Sequence, residues 1–156
     1  MSKLIPMSKL ISRRCLVLAG VLLATPVLAA PAMAESKSMT VPLSGAAEVP
    51  PVQTPGKGTA KLSFDPETRN LTWTVEFSGL SAPATMAHFH GPALPGKNGP
   101  VAVWIGEKGV APVSPVKGSA VLTPEQVKDF TDGGWYVNIH TANNPSGEIR
   151  GLIPAR

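Results

Sequence analysis

Apolar and polar side chains alternate in short runs along most of this chain, and glycine and proline break the runs apart. Alternation with a period of two puts successive side chains on opposite faces of an extended strand. The clearest case is a pair of runs. In Gly58 to Asp65, Ala60, Leu62 and Phe64 share one face while Thr59, Lys61 and Ser63 share the other. In Leu71 to Ser78, Leu71, Trp73, Val75 and Phe77 alternate with Thr72, Thr74 and Glu76. Asp65-Pro66-Glu67-Thr68-Arg69-Asn70 between them is turn chemistry, so the two runs read as a hairpin.

The same logic predicts a first strand over Met39 to Ser44, then a loop from Gly45 to Val52 whose paired prolines bar it from a central strand. Further strands fall at Thr85 to His90, Val101 to Ile105, Val116 to Leu122, Trp135 to His140 and Gly147 to Ile153. Val101 to Ile105 carries so little polar character that it reads as buried on both sides. Gly91 to Pro100, Glu107 to Pro115 and Thr141 to Ser146 read as loops. One helix is expected after Thr123, with Thr as N-cap, Pro124 at the first helical position and Gln126 closing a capping box, and it ends by Gly133-Gly134. About eight strands and one short helix, with no βαβ alternation, predict an all-β Greek-key β-sandwich.

Residues 1–34 follow a different pattern. Lys3, Lys9, Arg13 and Arg14 precede an apolar run from Cys15 to Leu28, and Ala32-Met33-Ala34 is a small-x-small cleavage site. That is the layout of a cleaved secretory signal, exported by the Sec route or, given Ser12-Arg13-Arg14-Cys15-Leu16, by the twin-arginine route. The expected destination is the periplasm or the medium, with no membrane span after cleavage. Residues 35–156 then make one domain, large enough for its own core. The signal also carries four of the 14 Lys and Arg and none of the 10 Asp and Glu. The mature charge is therefore balanced, which removes the electrostatic case for nucleic acid. The single cysteine leaves with the signal, so the mature domain has no disulfide.

Candidate chemistry concentrates in two strands. His88 and His90 alternate with Ala87 and Phe89, and His140 lies on the face of Tyr136 and Asn138, opposite Val137 and Ile139. If both apolar sets line one core, all three imidazoles project from the outer side of the wall. His-x-His on a strand puts two rings on one face with Cα atoms roughly 6.5 Å apart. They can then share an ion, and His140 supplies a third nitrogen from a neighbouring strand. Three imidazoles suit copper or zinc, and a fourth donor could be Met86, Glu148 or water. The bland alternative is that these histidines donate hydrogen bonds to the loops that follow His90 and His140.

Glu148 and Arg150 fall two apart on one face of the last strand, and Glu48 in the first loop is a partner for Arg150. Glu48, Glu148 and Arg150 read as a structural ion pair tying the N-terminal loop to the C-terminal strand, in preference to a catalytic group. Asn138 and Asn143 read as loop-fixing amides. Trp73 is expected in the core, and Trp104 and Trp135 partly exposed near strand ends. There is no Gly-x-Ser-x-Gly, no mature cysteine and no phosphate-binding glycine loop.

Four stretches carry a resemblance. They are Leu43-Ser44-Gly45-Ala46-Ala47-Glu48-Val49-Pro50-Pro51-Val52, Ala87-His88-Phe89-His90-Gly91-Pro92-Ala93, Gly96-Lys97-Asn98-Gly99-Pro100-Val101, and the run from Tyr136-Val137-Asn138-Ile139-His140 to Gly147-Glu148-Ile149-Arg150-Gly151. In this order they resemble the CHRD domain, the module first recognised in chordin and common in bacterial exported proteins. Phe89 stands where an aliphatic residue is usual. The resemblance implies an exported β-sandwich, which in animals sits within an extracellular antagonist of growth factors. The family is similar, more distantly, to the copper–zinc superoxide dismutase sandwich, which also carries a His-x-His strand; fold alone does not transfer that activity. Three functions are therefore expected to compete. The leading one is a monomeric or weakly associating binding module for a copper or zinc ion at His88, His90 and His140. The others are a redox-active copper enzyme and a structural or adhesive protein without metal.

Overall fold

The computed structural model describes residues 36–156, so the segment read as a secretory signal lies outside the described residues. Among the described residues no helix is long and apolar enough to cross a membrane. These residues form eight strands: β1 (Lys37–Ser44), β2 (Lys57–Asp65), β3 (Asn70–Ser78), β4 (Ala84–His90), β5 (Val101–Trp104), β6 (Val116–Val121), β7 (Tyr136–Thr141) and β8 (Ile149–Leu152). One α-helix, α1 (Pro124–Thr131), sits between β6 and β7. The strands form one antiparallel sheet in the order β5-β4-β7-β8-β1-β2-β3-β6, the all-β architecture that the alternation predicts.

The sheet folds over so that its two halves face each other like the layers of a sandwich. Val41, Leu62 and Trp73 come from one half, Phe89, Val137 and Ile139 from the other, and all belong to a single core. Trp73 and Phe89 meet edge to face across it, with ring centroids 5.2 Å apart. The β2–β3 hairpin pairs without interruption from Lys57↔Ser78 to Asp65↔Asn70. Its turn is closed by Asp65, whose carboxylate accepts the backbone N–H of Glu67 at 2.9 Å and the Thr68 hydroxyl at 2.7 Å.

The helix begins as its sequence requires. The Thr123 hydroxyl accepts the Gln126 N–H at 3.2 Å, and the Gln126 side-chain oxygen accepts the Thr123 N–H at 3.0 Å. Gln126 also donates through Nε2 to the Ala102 carbonyl on β5 at 3.1 Å. Phe130 anchors the helix between Phe64 and Trp135, with centroid distances of 5.3 and 5.6 Å.

Two expectations from the pattern are corrected. The strand at Val101 is not buried on both sides: none of Val101–Trp104 is fully buried, and Val101 keeps 45% of its surface exposed. Trp135 is fully buried, because α1 and the Gly91 backbone close over its indole: a Cβ on Gly91 would lie 2.3 Å from the ring. Trp73 is in the core as expected, and its Nε1 donates to the Ile105 carbonyl at 3.0 Å.

Register fixes one further constraint. Gly118 on β6 pairs with Trp73 on β3, and a Cβ there would come within 2.6 Å of the rigid indole. The ring is held by its hydrogen bond and cannot yield cheaply. Gly118→Ala is therefore expected to cost about 1–3 kcal/mol in urea denaturation. Gly106→Ala, where the nearest atom lies 3.7 Å from the new carbon, stays within about 0.5 kcal/mol of wild type.

Candidate metal centre

Strand parity puts the three histidines where the pattern says. Ala87 and Phe89 on β4 and Val137 and Ile139 on β7 face the core, and His88, His90 and His140 face away from it. The outer side of the wall is nonetheless not solvent. His88 and His140 are only 3% and 5% exposed, and His90 is half-buried. The expectation of an exterior patch is corrected here: the segments after His90 and His140, with the Gly45–Ala47 3₁₀ turn and the residues after it, fold back over this face and make a second, polar interior.

Within it the rings converge. His88 and His140 have centroids 5.0 Å apart, His88 and His90 5.4 Å, and His90 and His140 5.8 Å. One ligand nitrogen from each lies within 4.8 Å of the others. His90 Nδ1 donates to the Gly99 carbonyl at 3.0 Å, and His140 Nδ1 donates to the Pro145 carbonyl at 3.0 Å. A carbonyl only accepts, so both Nδ1 atoms carry the proton and both Nε2 atoms are left with lone pairs. His140 Nε2 lies 3.2 Å from His88 Nδ1, within hydrogen-bond distance. Two nitrogens each about 2.0–2.1 Å from one tetrahedral ion would be about 3.3 Å apart, so the same spacing also suits two ligands of one ion. His90 Nε2 is buried without a hydrogen-bond partner.

All three imidazoles are held neutral, the form that binds metal. Burial lowers the His88 pKa most, the neighbouring His140 and His90 lower it further, and it falls to about 4. Burial also lowers His90 and His140, against the upward pull of their carbonyl partners, and Arg150 adds to the lowering. Aromatic rings brace the cluster. Trp104, next to His88 across β4–β5, stands edge to face with it at 4.2 Å, and His90 stacks on Tyr136 at 4.9 Å with planes 3° apart. The Tyr136 hydroxyl accepts the Gly99 N–H at 3.0 Å and so holds the loop that holds His90. Tyr136 was already on the histidine face by parity. The Trp104 contact depends on a strand pairing that no local pattern encodes.

Beside the cluster, Arg150 Nε donates to Glu48 Oε2 at 3.1 Å, with both residues buried. Burial raises the Glu48 pKa despite the guanidinium beside it. Arg150 also lies over the Tyr136 ring at 3.9 Å and donates to Asn98 Oδ1. Asn138, directly across from Arg150, approaches Glu48 Oε2 at 3.5 Å, and Asn143 donates to the Ser81 carbonyl at 3.0 Å.

Glu148 belongs to a different network from the one its spacing suggests. It precedes β8, and its carboxylate accepts from Thr54 Oγ1 at 2.5 Å, Ser81 N and Oγ at 2.7 Å, Thr141 Oγ1 at 2.6 Å and Asn144 Nδ2 at 3.2 Å. These bonds turn it away from Arg150 and leave it no free oxygen for an ion at the histidines. Met86 stays beside the cluster, directly across from His140.

Burial alone would raise the Glu148 pKa, but the bonds from Thr141, Thr54 and Ser81 override it and bring it down to about 2. A carboxylate whose pKa is depressed by folding contributes stability that is complete above its unfolded pKa. That stability is lost as pH falls through the folded one. Unfolding free energy measured against pH should therefore decline between about 4.5 and about 2. Glu148→Gln, which leaves buried donors facing an amide, should cost on the order of 3 kcal/mol at pH 7 and flatten that decline.

The family model for the CHRD domain matches residues 39–153. Chordin from Danio rerio is 31% identical over 128 residues, covering 77% of this chain and 13% of chordin, so the chain spans a small part of that protein's length. No solved structure matches the chain. With the family model covering nearly every described residue, the chain belongs to the CHRD domain family.

Proposed function

We propose that this chain is an exported CHRD-domain binding module that holds one copper or zinc ion through His88, His90 and His140. The observation that carries this reading is the convergence of three neutral imidazoles, with the second nitrogens of His90 and His140 anchored by Gly99 and Pro145. Outer partners of this kind fix tautomer and ring direction, and metal-binding histidines are generally supported in this way. His88 would bind through Nδ1 and the other two through Nε2. The export part of the proposal rests on the charged and apolar pattern of residues 1–34 and on the family's occurrence in extracellular proteins.

Turnover at the metal, as a redox-active copper enzyme, would need a coordination position that a substrate can enter. The near-complete burial of His88 and His140 favours holding an ion over processing one. Purified protein, stripped with a chelator, should bind one equivalent of Cu(II) or Zn(II) in calorimetry. It should also gain about 2.7 kcal/mol of stability at a free metal concentration one hundred times the dissociation constant. His140→Ala and His90→Ala should lose both the stoichiometric binding and the added stability. Absence of binding in the wild-type protein would end the metal reading. Superoxide consumption by the copper form would move it to the enzymatic one.

A further inference from the structure

Beyond the histidines, the polar interior opens into a cavity of about 250 Å³ between the Gly91–Pro100 loop, the Gly133–Gly134 turn and β8. Its lining includes Tyr136 and Arg150, and its apolar part includes Val49, Leu94 and Leu152. Leu94 and Leu152 are 75% and 61% exposed, unusual for residues of their size. No carboxylate lines the cavity, whereas two cations, Arg150 and Lys97, do. Glu48 balances one of them.

The hydrogen-bond inventory of this lining is lopsided toward donors. Arg150 is 2% exposed and spends Nε on Glu48 and one Nη2 hydrogen on Asn98. Its Nη1, which carries two hydrogens, has only the Lys97 carbonyl at 3.5 Å. Trp135, 1% exposed, also lines the cavity, and its Nε1–H has no partner. The buried acceptors that lack partners, Glu48 Oε1, Asn138 Oδ1 and His90 Nε2, belong to residues outside this lining. What the cavity lacks is an acceptor with negative charge.

We propose that this cavity binds a small organic carboxylate with a compact apolar body. Its carboxylate lies against Arg150 Nη1, which only the 3.5 Å bond to the Lys97 carbonyl engages, and its apolar part covers Leu94 and Leu152. A guanidinium matches the fork geometry of a carboxylate, and burial makes the charge-assisted bond stronger than it is in water. A volume of about 250 Å³ holds roughly eight water-sized units, the scale of benzoate or phenylacetate. The site is independent of the metal reading, since none of the three histidines lines it.

The test is an NMR titration of the ¹⁵N-labelled full protein with sodium phenylacetate, the neutral phenylacetamide and sodium acetate. Phenylacetate should give saturable one-to-one shifts at the Trp135 indole N–H, Gly96 and Gly133. It should bind about tenfold more tightly than either of the others, since one lacks the charge and the other the apolar body. Arg150 is too deeply buried for its replacement to be a safe variant. Ala93→Leu instead fills the cavity from the exposed loop and should weaken phenylacetate binding at least about tenfold while the spectrum stays folded. Equal binding of phenylacetamide, no saturation below about 10 mM phenylacetate, or unchanged binding to Ala93→Leu would each overturn the proposal.

Discussion

The structure depends on desolvating polar side chains on the far side of a sheet whose near side is the hydrophobic core. Glu48, His88, Asn138, His140, Thr141, Glu148 and Arg150 are all buried, and they gather on β4, β7, β8 and the segments that cover them. A buried polar group left without a partner costs about 1–3 kcal/mol, so the covering segments must bring hydrogen-bonding groups with them. They do so largely through backbone: Gly99 and Pro145 take the histidines and Lys97 takes Arg150. Loop conformation and ring orientation are thus one problem with one solution, and it leaves the histidine nitrogens converging.

The two carboxylates of this layer divide the work differently. Glu148 is enclosed by hydroxyls and amides from three separate segments and stays ionised far into acid. Glu48 faces a full countercharge and yet is driven the other way by burial, with one oxygen unpartnered. Hydrogen bonds from many small donors stabilise a buried anion more surely than one nearby cation does, because each lone pair is met. The first site ties distant parts of the chain together. The second holds Arg150, which lines the adjoining cavity.

Much of this was legible in the chain. Alternation gave the β2–β3 hairpin and the sides to which His88, His90 and His140 belong, and Thr123-Pro124-Glu125-Gln126 gave the helix start, because both depend on residues close in sequence. Arg150 with Glu48 was also readable as opposite charges needing each other. Local pattern does not encode strand order, so it does not show that Val101 lies on a terminal strand. Nor does it encode the path of the loops, which is what buries the histidine face and Trp135. Glu148 shows the limit most plainly. Its two-residue spacing from Arg150 suggested a shared role, whereas Thr54 and Ser81, over sixty residues away, decide where it points.

Gln126 has a wider consequence than the start of its helix. Its oxygen satisfies the first turn while its nitrogen occupies the Ala102 carbonyl on the terminal strand of the sheet. A sheet margin with open carbonyls is a template for strands from other molecules, and self-association by edge pairing is the usual hazard. The Gln126 amide closes one acceptor of that margin, so the residue that starts the helix also leaves an incoming strand one fewer carbonyl to pair with.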